Sequence, residues 1–425
     1  MRTIALRFLL FKIVQVFILC FTPGEFDTSS NFLYESYRED KLQLIDDWLL
    51  SSRIGVFILD NIIDKLIRWD VVHIGDMFVN GIKYEHQFVF CPLWWRLIKR
   101  INIGGSNYYK KIVLGTVIAN ICHFGACIVL YYLTIQVFKT SGIFRSQRYK
   151  IALNASFIYI ISPAGIFLTA PYAESAAAFC SFLAIYLREV AIDRRVISIS
   201  GTQETLKKGY GYKTLYLLSG TFTAAAYCMR SNCILLGIMY LIDAYHFAFR
   251  RKNLKNLMFA FASGSLLFFA LVLLNWYPYS VFCPARGEWC DEWPPLLYKY
   301  AQSYYWGNGF LTYWTIPNIP NFLFAAPTIM LTLHSFLYFL LENPVKAILP
   351  IMIANICLLV GGIFWMHTQI LTRISSSMPL LYWLVACTLV SPNPPHKTYA
   401  KYVVTFIISW NLIQTSLYAA FLPPA

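Results

Sequence analysis

The chain has 425 residues, of which 58% are hydrophobic and only 13% charged. A soluble domain carries about a quarter charged residues, so a water-soluble fold is excluded and the chain reads as a polytopic membrane protein. The formal charge of +14 is the topology signal of cytosolic loops. It does not mark a nucleic-acid surface, because no basic block interleaved with aromatics stands on a soluble domain.

Residues 1–22 hold the first apolar segment, at 4–22, interrupted by Arg7 and Lys12. The apolar run continues to its end without a small-residue cleavage site, so an uncleaved first span is expected rather than a signal peptide. Residues 23–111 form the first large polar region. Within it, residues 54–67 repeat apolar pairs every four positions (Ile58-Leu59, Ile62-Ile63, Leu66-Ile67), with Asp60, Asp64 and Lys65 opposite. This predicts an amphipathic helix lying on the membrane surface and leading into Arg68-Trp69-Asp70.

Residues 112–275 hold further spans, at about 112–138, 151–168, 174–190, 214–229, 231–249 and 257–275. Basic loops separate them: Lys139 to Lys150, Arg188 to Lys213, and Arg250 to Lys255. Residues 276–320 are a second, aromatic-rich polar region. Residues 321–425 complete the chain with spans at about 321–341, 347–366, 378–391 and 402–422. This predicts an all-α membrane protein of about eleven spans, each near the ~20 residues a bilayer requires. The basic loops share the side of the N-terminus, so the positive-inside rule places the N-terminus in the cytosol and both large polar regions in the lumen. The short 378–391 span is alternatively re-entrant, which would return the C-terminus to the cytosol. No low-complexity tract, soluble domain or inverted repeat is visible.

The polar residues of chemical interest gather on the lumenal side. Asp70 and His73 share a helix face at i,i+3, and Arg68 is placed to pair with Asp64 at i,i+4. Asp70 reads either as a helix-end carboxylate or as a general base beside a membrane-embedded substrate. Glu85 and His86 follow Gly81 on a loop, where either can meet a substrate hydroxyl. Glu174 opens a helix after Pro171 and Tyr172, a position the helix dipole favours for an acid. Arg230 lies at a lumenal turn against the positive-inside trend. It is either a snorkelling side chain or a phosphate ligand, since its donors match phosphate oxygens. The aromatics from Trp289 to Trp314 read as an interfacial belt or as sugar-stacking faces. His367, Gln369 and Arg373 occupy the lumenal end of another span, where a charge is expensive without a role.

Of the eleven cysteines, Cys122, Cys127, Cys180, Cys228, Cys233, Cys357 and Cys387 lie in apolar runs as small hydrophobes. Cys283 and Cys290 share a polar loop and can form a disulfide in an oxidising lumen. No pair has zinc-site spacing, so no metal is expected.

Taken in order, Arg68-Trp69-Asp70-x-x-His73, Gly81-x-x-Tyr84-Glu85-His86-x-Phe88-x-Phe90-x-Pro92, Ser162-Pro163-Ala164 through Leu168-Thr169-Ala170-Pro171-Tyr172-x-Glu174, Arg230-Ser231-Asn232, Gly309-Phe310-x-x-Tyr313-Trp314-Thr315 through Ile319-Pro320-Asn321-Phe322, and His367-x-Gln369-x-x-x-Arg373 resemble the PIG-V family, the GPI mannosyltransferases II. Cys91, the Trp94-Trp95 pair and Ile74 depart from the family pattern and affect local packing rather than chemistry. The resemblance implies a GT-C type glycosyltransferase of the endoplasmic reticulum membrane with a lumenal active site. Its donor is dolichyl phosphate mannose, and its acceptor is the one-mannose GPI precursor glycolipid, extended by an α1,6 bond. The resemblance implies no nucleotide sugar, in keeping with the lack of a Gly-rich phosphate loop, and no cofactor is expected. A small membrane partner subunit is admitted by family analogy.

The implied chemistry is an inverting single displacement. Asp70 is its expected base, and Arg230 and Arg373 are the expected phosphate ligands. Glu85, His86, His73, Glu174, Tyr172 and Trp314 are the expected substrate contacts. The competing readings are a dolichyl-phosphate-mannose-dependent transferase acting on lipid-linked N-glycan, a transporter or scramblase, and a non-catalytic subunit.

Overall fold

The computed structural model describes residues 1–26, 35–47, 53–103, 105–198, 201–283 and 287–422. Parts of both polar regions, 27–34, 48–52 and 284–286, lie outside the described residues. The chain is helical almost throughout; its one described sheet is a hairpin pairing Ile192–Ser198 antiparallel with Gly201–Leu206, Ile192 opposite Leu206. That hairpin occupies the basic loop expected after the 174–190 span.

A helix stands at every predicted span, but the expected eleven crossings do not follow from length and apolarity. Six described helical stretches are long and apolar enough to cross a bilayer: Arg2–Phe21, Tyr108–Val137, Ser231–Arg250, Leu254–Phe282, Ile316–Glu342 and Lys346–Phe364. The predicted 378–391 span is the 11-residue helix Leu380–Val390, about 16 Å long. It meets Thr368–Ser377 at 73°, and the pair makes a seventh candidate if counted as one span. Leu380 to Thr388 are all buried, so this segment is apolar because protein surrounds it, not lipid. The other helices are shorter or more polar. Arg145–Ile160 has 16 residues, and Glu174–Ala191 faces its polar groups inward.

Those inward polar groups are paired. The Arg188 guanidinium donates Nε to Asp243 Oδ2 at 2.8 Å and Nη2 to Oδ1 at 2.5 Å, while Tyr216 donates to Oδ2 at 2.7 Å. Glu189 joins Arg188 to Arg194. Arg188 was counted with the basic loop; it is fully buried and ties three helices together at the end opposite the large polar regions.

At mid-bundle a polar ladder fastens the turn that follows Arg145–Ile160. Lys12 donates to Thr169 Oγ1 at 2.5 Å, Thr169 to Gln15 Oε1 at 2.8 Å, and Gln15 to Asn411 Oδ1 at 2.9 Å. Asn411 in turn donates to the Ser162 carbonyl at 2.9 Å. Lys12, an apparent blemish in the first span, thus links the first helix to this turn. Gly165 has φ +55°, and a Cβ there would sit 1.7 Å from Gln414 Oε1. Only glycine allows both the left-handed backbone and the close approach of the last helix, Pro394–Ala419.

The surface helix forms as Arg53–Ile58, Leu59–Ile63 and Asp64–Leu66 in succession. It then stops, because Ile67 leaves helical geometry at ψ 79°. Residues 64 and 68 therefore do not share a helix face. Arg68 donates to the Asp64 carbonyl at 3.0 Å and to Glu25 Oε1 at 2.5 Å, while the Asp64 carboxylate receives Lys41 at 2.6 Å. This corrects the expected Arg68–Asp64 pair.

Candidate active site

Four turns from distant parts of the chain converge at the end of the bundle that carries both polar regions. The first follows the surface helix. Trp69 takes φ 54°, uncommon for a bulky residue, and the chain reverses so that Asp70 opens the helix Asp70–Val79. The second is the ladder-held turn, after which Glu174 opens the helix Glu174–Ala191. The third places Arg230 in extended conformation at the end of Tyr210–Met229. The fourth carries Arg373 on the short helix Leu371–Ile374. It packs against Gly362, where a Cβ would stand 2.2 Å from Leu371.

The four side chains form one chain of charge. Arg373 donates Nε and Nη2 to Glu174 Oε1 at 3.0 and 2.7 Å, and Nη2 also reaches Asp70 Oδ2 at 3.1 Å. Arg230 Nη1 lies 3.6 Å from the same Glu174 oxygen. The Arg373 guanidinium rests on the faces of Phe167 and Tyr172, 4.1 and 5.0 Å from their centroids. Side-chain exposure grades outward, from 1% for Glu174 and 11% for Arg373 to 21% for Arg230 and 36% for Asp70.

Asp70, Arg230 and Arg373 line a cavity of about 330 Å³. Its lining also draws on the second polar region and the turn before Arg373: Tyr298, Gln302, Trp306, Asn308, His367 and Gln369. Phe88, Phe90, Leu274, Pro278 and Ile370 give it an apolar side. The site thus joins two guanidinium groups and an accessible carboxylate with hydrogen-bonding and aromatic side chains in one cavity. That combination suits a substrate having an anionic group, hydroxyls and an apolar tail. Among the described residues no group of three or more His, Cys, Asp or Glu is placed to hold a metal ion.

The remaining expected site residues lie around this cavity rather than on its wall. Glu174 is beneath the two arginines, and its Oε2 is buried with no hydrogen-bond partner among the described residues. Tyr172 is buried and donates to the Arg68 carbonyl at 3.0 Å. Glu85 accepts from Trp289 Nε1 at 2.7 Å and from the Tyr305 hydroxyl at 3.0 Å, tying the first polar region to the second. Burial and the Glu85 carboxylate push the Tyr305 phenol up to about 12, so it remains a donor. His86 stacks on Tyr84 and meets His73 edge-on at 6.1 Å between centroids. Burial first, and then His73, lower the pKa of His86. Trp314 donates to the Ile363 carbonyl at 2.9 Å and packs on Phe322, among exposed aromatics outside the cavity.

Gln302, Asn308, Asn275 and Pro278 were not singled out in the sequence. Asn275 and Pro278 reach the cavity because the helix expected at 257–275 runs from Leu254 to Phe282. Cys283 and Cys290, just beyond it, are disulfide-bonded.

The profile of the family described as Mannosyltransferase (PIG-V) matches residues 2–356 and 345–425. The GPI mannosyltransferase 2 of Candida albicans is 38% identical over 422 residues, covering 98% of each chain. That of Saccharomyces cerevisiae is 33% identical over 449 residues, covering 99% of each. An Archaeoglobus fulgidus oligosaccharyltransferase structure aligns over 84% of this chain and 51% of its own, with 14% identity and a TM-score of 0.45. That likeness is too loose to argue from.

Proposed function

Because the chain belongs to the PIG-V mannosyltransferase family, we propose that it transfers the second mannose of the GPI anchor precursor. The donor is dolichyl phosphate mannose, the acceptor is the one-mannose precursor glycolipid, and the new bond is α1,6. The reaction takes place at the lumenal face of the endoplasmic reticulum membrane. The observation that carries this reading is the pair of arginines beside an accessible carboxylate on one cavity wall.

Inversion from a β-linked donor to an α-linked product requires a single displacement. Asp70 accepts the proton of the acceptor hydroxyl as its oxygen forms a bond to C1 of the donor mannose. The bond from C1 to the phosphate oxygen breaks with both electrons going to phosphate, and dolichyl phosphate departs. An oxocarbenium-like centre of this kind is served by one carboxylate when the leaving group needs no proton. Phosphate gains negative charge in the step, and Arg230 and Arg373 supply the opposing charge. The aromatic and amide side chains that line the same cavity hold the sugars.

The test is lipid analysis after depletion of the protein in cells. Accumulation of the one-mannose GPI precursor, restored by the unaltered chain, is the expected result. Accumulation of an underglycosylated N-glycan precursor instead would assign the enzyme to a different acceptor.

A further inference from the structure

Glu174 was expected to touch substrate, yet it stands behind the groups that line the cavity. Its side chain is 1% exposed, and both arginines that line the cavity lie against it. Both guanidiniums approach the same oxygen, Oε1, while Oε2 is buried and unbonded among the described residues. A carboxylate left half-satisfied in the interior is unfavourable. Its charge is nonetheless the nearest to both arginines on the side away from substrate.

Two arginines facing one phosphate create a problem for turnover. The donor carries one negative charge on its phosphodiester, and the departing dolichyl phosphate carries close to two at neutral pH. A wall with two uncompensated guanidiniums would bind the product more tightly than the donor and retain it. With Asp70 and Glu174 ionised, the four-residue cluster sums to zero charge before substrate enters. Asp70 is at the reacting face. Glu174 is the member that acts only through the arginines.

We propose that Glu174 is a positioning residue that fixes both arginines at the cavity wall and limits their positive charge so that the phosphate product is released. This rests on the reading of Arg230 and Arg373 as phosphate ligands. Its two effects separate in kinetics. Loss of position slows transfer, whereas loss of the negative charge strengthens binding of the phosphate product.

The experiment compares the full-length enzyme in detergent or nanodiscs with Glu174→Gln and Glu174→Asp. It uses dolichyl phosphate mannose as donor and added dolichyl phosphate as inhibitor. Glu174→Gln keeps the shape and removes the charge; it is expected to lower kcat while dolichyl phosphate inhibits about tenfold or more strongly, because a negative charge behind the arginines no longer opposes the phosphate. Glu174→Asp keeps the charge and moves it back by one methylene. It is expected to lower kcat with inhibition near that of the unaltered enzyme, and it carries the test alone if Glu174→Gln does not fold. Inhibition of Glu174→Asp strengthened tenfold, or of Glu174→Gln unchanged, overturns the charge-limiting role. If dolichyl phosphate fails to inhibit the unaltered enzyme at all, the phosphate reading of the two arginines falls first, and the role of Glu174 with it.

Discussion

The indole nitrogen of Trp289 donates to Glu85 Oε1 at 2.7 Å, joining residues 204 positions apart. Trp289 is fully buried, and this bond with that of Tyr305 clasps the second polar region onto the first. Trp289→Phe keeps an aromatic ring and removes the donor. It is expected to destabilise the fold by about 1.5–3 kcal/mol, the usual worth of a hydrogen bond to a charged group. A lower thermal midpoint in size-exclusion assays, with a raised acceptor KM, checks it.

Asp70→Asn removes the proposed proton acceptor and keeps the shape of the side chain. Arg373 still has both bonds to Glu174, so the protein is expected to fold and insert normally. Transfer in a microsomal assay is expected to fall by about 10²–10⁴. Normal turnover would show that Asp70 is not the base.

Arg373→Lys retains one positive charge but cannot span Glu174 and Asp70 from one planar group. Glu174 would be left buried with a weakened partner, and breaking such a pair outright costs about 3–5 kcal/mol. We expect a lower thermal midpoint together with a raised KM for dolichyl phosphate mannose. A variant that melts lower yet keeps its donor KM would restrict Arg373 to a structural role.

The buried pair of Arg188 and Asp243 offers a contrast. Asp243→Asn leaves Arg188 undercompensated in the interior, with an expected loss of about 3–5 kcal/mol. The ion pair belongs to the end of the bundle away from the cavity, so the protein that does fold is expected to keep its donor and acceptor KM values. Yield and melting temperature against KM measure the two effects separately.

His86 gives a pH dependence with a defined sign. Burial, aided by His73, lowers its folded-state pKa below the ordinary value, which is about 6.5 in an unfolded chain. The folded protein then binds fewer protons than the unfolded chain, so the contribution of His86 is present above that pH and is lost as pH falls through it. The thermal midpoint is expected to fall on acidification, and His86→Gln to fall less. Equal slopes in the two proteins would exclude this origin.

The individual site motifs were visible in the sequence, but their mutual arrangement was not. Asp70, Arg230 and Arg373 stood out because each is a charge at the edge of an apolar segment. Glu174 stood out too, as an acid at a helix start, yet its arginine partner lies 199 positions away, and no local spacing announces such a pair. The same limit applies to Lys12, whose partner Thr169 is 157 positions distant. Hydropathy placed the helices well and failed where its premise failed. Leu380–Val390 is apolar because neighbouring helices bury it, and Arg188 is charged without facing solvent because Asp243 and Glu189 receive it. Leu254–Phe282 runs past its predicted end at 275 and carries Pro278 inside it.

The ladder from Lys12 through Thr169 and Gln15 to Asn411 has a consequence for how the enzyme is made. Asn411 lies in Pro394–Ala419, so it is synthesised after every residue of the charged cluster. Until then the Ser162 carbonyl and the Gln15 amide lack these partners, and the turn ahead of Glu174 is held by its bonds from Lys12, Trp94 and Asn120. A nascent chain stalled short of residue 411 therefore holds every group of the charged cluster before Asn411 bonds the turn ahead of Glu174.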